Sequence, residues 1–590
     1  MQGSIDTLKK IIAVSQQKQP ADFILRNARV ADVFSLVWVN ADIVVSDGFI
    51  VAIDSTRSFE AIEEMDAGGR YVVPGLVDGH IHIESSMLTP SAFGDVLLPH
   101  GVTTVVTDPH EIANVAGVEG IQFMLKDAER SPMDIFVMLP SSVPSTSFEH
   151  AGARLEAEDL QPLLSHPSVL GLAEVMDYPA VLRGDEGMLS KLLMTKEAGL
   201  RIDGHGAGLQ REQIRGYRAA GIQTDHECVT ADEARDRITQ GMYVLIREGS
   251  AAKNLHDLLP AVTPHNARRF LFCTDDKHLD ELVDEGSIDH AIRLSIKAGM
   301  EPLQAIQLAT LNAAECYGLS QKGALAAGFE ADFLLLDHLE LFKVAAVFKK
   351  GVKVAEHGRM IKATETQTDC TVRIRHSVHL PTLTVEDLAI PLPQGAEANI
   401  MEIIPDQIVT NKVVEKVETI DGAFVQNMER DQLKLAVIER HHQLHTIGLG
   451  IVKGFGLKKG AVATSIAHDS HNAIVLGTND EDMIAAVQAL QDMQGGLVVV
   501  HDGQIMASLA LPIAGLMTKV PLEEAVQSLA NLHEAIHTIH PKLDFHLFLT
   551  LSFLSLPVIP SLKLTDTGLF DVTTFQHIGI DANTNEKADH

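Results

Sequence analysis

The stretch Tyr71-Val72-Val73-Pro74-Gly75-Leu76-Val77-Asp78-Gly79-His80-Ile81-His82 marks a change of pattern in a chain of 590 residues. Ahead of it, the runs Phe23 to Val30, Val37 to Val45 and Phe49 to Ile53 lie between Asn, Asp and Gly turn signals and read as a small antiparallel sheet. From Tyr71 onward, strands alternate with segments able to form helices, the signature of a parallel sheet with helical crossovers. The candidate strands are Tyr71–Val77, Val102–Thr107, Ile135–Leu139, Val169–Val175, Leu200–Asp203, Ile222–Asp225, Tyr243–Arg247 and Phe270–Thr274. Their number and spacing are those of a (β/α)8 TIM-like barrel of about 250 residues.

After the last of these strands, Pro302 stands at a helix N1 position and opens a helix through Leu303, Ile306, Ala309 and Ala313 that stops near Gly318. β signals then return at Gly323–Asp337 and Val344–Val354. They are expected to join the N-terminal strands in one discontinuous small β-sandwich domain. The remaining chain mixes strands such as Leu497–Val500 with helices such as Glu481–Met493, an additional C-terminal α+β domain. The division read from these changes is 1–72 and 322–375 for the small domain, 73–321 for the barrel and 376–590 for the C-terminal domain.

Composition narrows the function. With 46% hydrophobic and 21% charged residues and no low-complexity tract, the whole chain is expected to fold. A formal net charge of −32, with no Lys/Arg run to offset it, repels a phosphate backbone and an anionic membrane face, so neither nucleic acid nor membrane is an expected partner. Cys228, Cys273, Cys316 and Cys370 are far apart and form no CxxC pair, which fits reduced thiols in the cytoplasm. The apolar run Ile11 to Val14 is too short for a signal peptide and reads as part of an amphipathic helix. Leu547 to Leu562, interrupted by Pro557 and Pro560, reads as a buried strand and turn, not a membrane span.

In a barrel of this kind the chemistry lies at the C-terminal ends of the strands. His80 and His82 end the first strand two residues apart, so both imidazoles point to one side. Glu174 ends the fourth strand, His205 the fifth, His226 the sixth and Asp275 the eighth, with Asp276 as the neighbouring alternative. Each alone is an ordinary solvated or hydrogen-bonded residue; together they suit one or two divalent first-row cations with a carboxylate bridge. Asp108 and His110, after the second strand, are further ligands or groups that orient the ligands. Ser85, Ser86, Arg247, Glu248, Gly249 and Ser250 occupy loops at the same mouth and are candidates for substrate binding. His468, Asp469 and His471 form a secondary cluster, read equally as a second metal site or a polar turn packed on the mouth. Glu439-Arg440-His441-His442 reads as helical, which turns the two histidines about 100° apart and away from a shared ion.

Val73-Pro74-Gly75-Leu76-Val77-Asp78-Gly79-His80-Ile81-His82 resembles the opening of the amidohydrolase superfamily. Ala309-Thr310-Leu311-Asn312-Ala313-Ala314 and Gly328-Phe329-Glu330-Ala331-Asp332 resemble the segments with which those enzymes leave the barrel. Cyclic-amide hydrolases of the superfamily carry a lysine on strand four, where this chain has Gly171-Leu172-Ala173-Glu174-Val175-Met176-Asp177. With Thr107-Asp108-Pro109-His110-Glu111, Arg247-Glu248-Gly249-Ser250, Cys273-Thr274-Asp275-Asp276, Val452-Lys453-Gly454-Phe455-Gly456, Ala467-His468-Asp469-Ser470-His471-Asn472 and Leu556-Pro557-Val558-Ile559-Pro560, the sequence is similar over nearly its full length to the bacterial adenine deaminase family.

That resemblance implies two divalent metal ions per chain, Mn2+ foremost with Fe2+ or Zn2+ as alternatives, held by His80, His82, Glu174, His205, His226 and Asp275 with Glu174 as the bridge. It implies hydrolytic deamination of adenine to hypoxanthine and ammonia, in purine salvage, by a metal-activated hydroxide attacking C6. Glu174 and Asp275 are the catalytic residues it implies, with Asp275 taking the hydroxide proton. The expected setting is a cytoplasmic homo-oligomer acting on a small-molecule purine. The alternatives are a cyclic amidase, which the missing lysine opposes, a mononuclear cytosine- or adenosine-type deaminase, and a non-catalytic scaffold of the same fold, which gaps among the ligands would have marked.

Overall fold

The computed structural model describes residues 4–364, 370–405, 407–543 and 545–583. An amphipathic helix, Ile5–Ser15, leads into strands β1 (Ala21–Asp32), β2 (Val37–Ser46), β3 (Phe49–Asp54), β4 (Ala61–Asp66) and β5 (Tyr71–Pro74). Eight further strands follow with helical crossovers: β6 (Leu76–Ile81), β7 (Val102–Thr107), β8 (Asp134–Leu139), β9 (Val169–Val175), β10 (Arg201–Gly204), β11 (Thr224–Asp225), β12 (Tyr243–Arg247) and β13 (Phe270–Cys273). The return strands are β14 (Phe333–His338), β15 (Lys343–Lys349), β16 (Val352–Glu356) and β17 (Arg359–Met360).

The segment expected to be one strand, Tyr71–Val77, is two. β5 pairs with β1 and with β14, whereas β6 pairs with β7, so the run changes sheets at Gly75. Pro74 has no N–H to extend the first ladder, and a Cβ on Gly75 would stand 2.2 Å from the Thr103 hydroxyl. Gly323–Asp337 is extended only from Phe333, and Val344–Val354 is a hairpin that turns at Lys350 and Gly351, both with positive φ. The helix opened by Pro302 ends at Leu308 and resumes at Leu311–Tyr317, closing on Gly318 at φ 74°.

The small domain is one mixed sheet in the order β17-β16-β15-β14-β5-β1-β2-β3, with β4 also on β1; β4 and β5 run parallel to β1. β1 and β15 are three places apart, yet the rings of Phe23 and Phe348 stack at 5.7 Å. The sheet therefore curls over Leu25, Val30, Ile43, Val45, Phe333 and Leu335 to enclose its own core, where a sandwich of two sheets was expected.

β6 to β10 form a five-stranded parallel sheet and β11 to β13 a three-stranded one. Backbone hydrogen bonds join them: Gln223 N–H donates to Ile202 O at 3.0 Å, and Asp275 N–H to His80 O at 3.0 Å, making a ring of parallel strands. Val77, Val106, Met138, Ala173, Leu245 and Leu271 share one buried cluster with Ala313 and Tyr317 of the last helix. The Asp78 carboxylate ties the first strand of the ring to the last, accepting from Thr274 Oγ1 at 2.5 Å; burial pushes it up to about 7.

An eight-stranded sheet of the C-terminal region packs the helix Asp480–Met493 against one face through Met483, Val487 and Leu490. Two readings there are corrected. Leu547–Leu562 opens as a helix, Leu547–Ser552, and a short 3-10 turn, with a strand starting only at Leu562. Its apolar residues have helical spacing on two faces, Leu547, Leu551 and Leu554 toward one core and Leu549, Phe553 and Leu556 toward another. Glu439 to His442 is a turn, because the Glu439 carboxylate accepts backbone N–H groups of His441 and His442 at 2.5 Å and Leu444 at 2.9 Å. The two histidines still diverge, to Ser470 O and Ala151 O. Among the described residues no helix is long and apolar enough to cross a membrane, and all four cysteines are free and buried.

A charge cluster fastens the ring to the small sheet: Lys322 and Lys349 both bond Asp134 at the start of β8 and Asp332 ahead of β14. Burial opposes the Asp134 charge, but the two ammonium groups outweigh it and hold its carboxyl below the usual range. Asp134→Asn is expected to cost about 3 kcal/mol at neutral pH by leaving lysines underpaired. A depressed carboxylate stabilises fully above its unfolded value near 4 and less as the pH falls below it, so the gap in thermal midpoint between wild type and variant should narrow on acidification.

Candidate metal centre

The strand ends bring their ligand-type side chains into one buried site. Glu174, at the end of β9, is its middle. Its Oε1 lies 3.4 Å from His82 Nε2 and 3.5 Å from His110 Nδ1. Its Oε2 lies 2.7 Å from His205 Nδ1 and 3.1 Å from His226 Nε2. Asp275 Oδ1 stands 3.2 Å from His80 Nε2 and 3.1 Å from His82 Nε2. The ring closure places it there, since Asp275 is bonded through its backbone to both His80 and His82. Asp275 holds φ at 60°, a left-handed conformation uncommon for a residue with a Cβ.

These spacings test whether cations fit. Two atoms each about 2.1 Å from one ion, at tetrahedral or octahedral angles, lie roughly 3 to 3.5 Å apart, as the donors here do except for the His205–Glu174 pair at 2.7 Å. The sets His80-His82-Asp275 and His80-Glu174-His226 each keep their ligand atoms within 4.8 Å of one another. His80 Nε2 and His226 Nε2 are fully buried without a hydrogen-bond partner among the described residues. Buried polar atoms are otherwise paired, so the donor set fits divalent metal. His205 faces the site through Nδ1, and His80, His82 and His226 through Nε2.

Burial alone would drive every carboxyl here to its neutral form. Against it, His205, His226 and His82 hold Glu174 well below the usual carboxylate range, and Arg247, His80 and His82 do the same for Asp275. His205 is pulled down by burial but lifted to about 9 by Glu227 and Glu174.

Asp108 and His110 border the centre: Asp108 O meets His82 Nδ1 at 3.0 Å, which fixes that ring, and His110 Nδ1 lies 3.3 Å from Asp108 Oδ2. Arg247 Nη1 donates to Asp275 Oδ2 at 2.7 Å and also to Glu227. Glu248 turns away to accept from Leu255 N–H, and Ser250 bonds Glu281 and, through its N–H, Asp276 O. Gly249 is packed where a Cβ would stand 2.2 Å from Thr274 O, so that position admits no side chain. Ser86 is occupied by Ile83 O, while Ser85 Oγ lies 2.5 Å from Asp276 Oδ1 and 2.9 Å from Glu111 Oε1.

The C-terminal region delivers His468, Asp469 and His471 to the same place. Asp469 Oδ1 lies 3.7 Å from His110 Nε2, and His471 Nε2 is 3.6 Å from Glu111 Oε2. Ala467 N–H donates to His471 Nδ1 at 3.3 Å, which leaves the ring proton of the neutral form on Nε2, facing Glu111. Glu111 and Glu227 were absent from the candidates drawn from sequence. Each directly follows a histidine at a strand end, and that adjacency was the available signal.

The ring of strands with this donor set defines an amidohydrolase, and the Amidohydrolase family model matches residues 71–354. The model of the Adenine deaminase C-terminal domain matches residues 407–576. The adenine deaminase of Lysinibacillus sphaericus is 63% identical over 582 residues, spanning 99% of this chain and 100% of that protein. Those of Geobacillus kaustophilus and Halalkalibacterium halodurans are 52% and 50% identical, each across at least 97% of this chain and 98% of the relative. The chain belongs to the adenine deaminase family.

Because Arg247 is the cation set against both Glu227 and Asp275, Arg247→Met is expected to cost about 3 to 5 kcal/mol. Ser86→Ala, which removes one hydroxyl bonded to a local carbonyl, should cost about 1 kcal/mol. Thermal midpoints of the two variants, measured side by side, check the order.

Proposed function

We propose that the chain hydrolyses adenine to hypoxanthine and ammonia at a centre of two divalent ions. The single observation that carries the reading is the division of Glu174: one oxygen serves the His82 side and the other the His205 and His226 side, the arrangement of a bridging carboxylate. His80, His82 and Asp275 would hold one ion with Glu174, and His205 and His226 the other with Glu174. Imidazole and carboxylate ligands together suit Mn2+, Fe2+ or Zn2+, with Mn2+ the first choice. When bound, such ions lower the pKa of water from 15.7 toward about 7, making hydroxide available at neutral pH.

The chain's own groups do the rest. Asp275 Oδ1 takes the proton released by the water that attacks C6 of adenine, and it is kept ionised and aimed for this by Arg247 on Oδ2. Asp275 returns that proton to the ring nitrogen N1, and the second proton of the water, taken from the C6 hydroxyl of the adduct, is passed to the departing amine, so that the C6–N bond breaks, C6 keeps its oxygen and ammonia leaves. Asp108 orients His82, and His110 sits between Asp108 and Asp469 as a group that steadies the site. Ser85, whose hydroxyl bonds Asp276 and Glu111, and Arg247, whose Nε has no hydrogen-bond partner among the described residues, are placed to hold a polar edge of the base, whereas Glu248, Ser250 and Ser86 bond protein partners. The domain division is read as 1–72 with 322–375, the (β/α)8 barrel at 73–321, and an α+β domain at 376–590. The setting proposed is a cytoplasmic homo-oligomer.

The test is ultraviolet absorbance of adenine with the Mn2+-reconstituted protein, alongside cytosine, adenosine and dihydroorotate, and metal analysis of the same sample. Conversion of adenine alone with about two ions per chain is expected. Glu174→Gln should lower the ion count and cut turnover by about 10²-fold or more; full turnover with both ions retained would remove Glu174 from bridge and proton transfer alike.

A further inference from the structure

The donors of the centre are not equally enclosed. The His205 side chain is 16% exposed, against 2% or 3% for those of His80, His82, Glu174 and His226. One approach is sealed by the turn 467–472, whose His468, Asp469 and His471 are buried and press on His110 and Glu111. On the other side, His205 lines a cavity of about 680 Å³, within the range of roughly 300–1,000 Å³ typical of small-molecule sites.

The walls of this cavity come from separate parts of the chain. Phe148 lies in the loop after β8 and Tyr178 opens the helix Tyr178–Arg183 after β9, while Val558, Val572 and Phe575 belong to the C-terminal region. Phe148 is fixed: its ring stacks on Phe570 at 4.2 Å, and its carbonyl accepts from Thr567 Oγ1 at 2.8 Å. Two residues on, His150 Nδ1 donates to Asp566 Oδ2 at 2.6 Å and His150 O accepts from Asn472. Phe575 is different. It meets Phe148 edge-on at 5.8 Å and is 62% exposed, so it stands at the solvent end, opposite His205.

We propose that this cavity is the route by which the purine reaches the metal centre, and that Phe575 sets its width and so determines which 6-substituents pass. Phe148, Tyr178 and Phe575 give aromatic surface on which a planar base can stack, among polar side chains such as Ser142, Arg154 and Lys191 that can meet its ring nitrogens. The identity of the traveller rests on the proposed deamination; the route itself does not.

Because the native cysteines are buried, Val572→Cys supplies a single reactive thiol, with Val558→Cys as the substitute should the first fail to fold. Labelled with a bulky maleimide and loaded with Mn2+, it should keep its metal, lose about tenfold or more in kcat/KM for adenine, and surrender metal to a small chelator about tenfold more slowly. Ile505→Cys, exposed on a distant hairpin, should show neither effect when labelled. Wild-type turnover and wild-type chelation in the labelled Val572→Cys protein would overturn the route. Failure of unlabelled wild type to deaminate adenine would instead sink the proposed function, and the chelation rates would then decide the route alone. Phe575→Ala should raise kcat/KM for a purine with a bulkier 6-amine, relative to adenine, by about threefold or more; an unchanged ratio would overturn the role of Phe575.

Discussion

The Glu174 carboxylate has to remain charged where there is almost no water. Taking an ion of that size out of solvent costs several kcal/mol even after the protein relaxes, and among the described residues no lysine or arginine forms an ion pair with it. Compensation comes from imidazoles that directly follow β10, β11 and β6, so it exists only once the ring of strands is closed. The bonds that close the ring, from Asp275 to His80 and from Thr274 to Asp78, are therefore conditions for the site as much as for the fold. The same logic explains the donor geometry. Histidines spaced to share cations satisfy a buried carboxylate more fully than they satisfy each other.

The C-terminal region enters this arrangement as a wall. Its turn 467–472 is gripped by Arg440, which is fully buried and donates to the carbonyls of His471 and Ala514. Burial pulls that guanidinium down to about 9, with Glu439 acting against it. Several backbone acceptors converging on one planar donor fork leave the turn little freedom, and the groups it presents to His110 and Glu111 stay in place. Asp566 performs a similar task at the loop after β8, taking His150 and Thr446 together.

Much of the candidate site is legible in the sequence, because side chains at strand ends obey a simple rule: a parallel barrel delivers the C-terminal end of every strand to one face. His80, His82, Glu174, His205, His226 and Asp275 all follow it. What escaped were features set by partners distant in sequence. Arg247 read as a substrate group, and its Nη1 is shared by Glu227 and Asp275, a link between strand ends that the sequence does not display. Glu439 looked helical until its carboxylate proved to cap the turn around His441. Leu547 to Leu562 read as a buried strand and turn because apolar density was weighed ahead of the four-residue spacing that marks a helix over its first half. The small domain was read as a sandwich because pairing partners as far apart in sequence as Pro74 and Phe333 do not announce that one sheet bends over itself.

That bent sheet also has a consequence in time. β5 finds one of its two neighbours, β1, early in the chain, but the other, β14, begins only at Phe333. A ribosome making this protein exposes the N-terminal strands long before the piece that completes them, and the intervening ring must fold while an open, apolar edge waits. Chains truncated before Phe333 would display that edge permanently, a target for proteases and a seed for aggregation. The order in which the segments are synthesised thus makes the small sheet a late checkpoint on completeness.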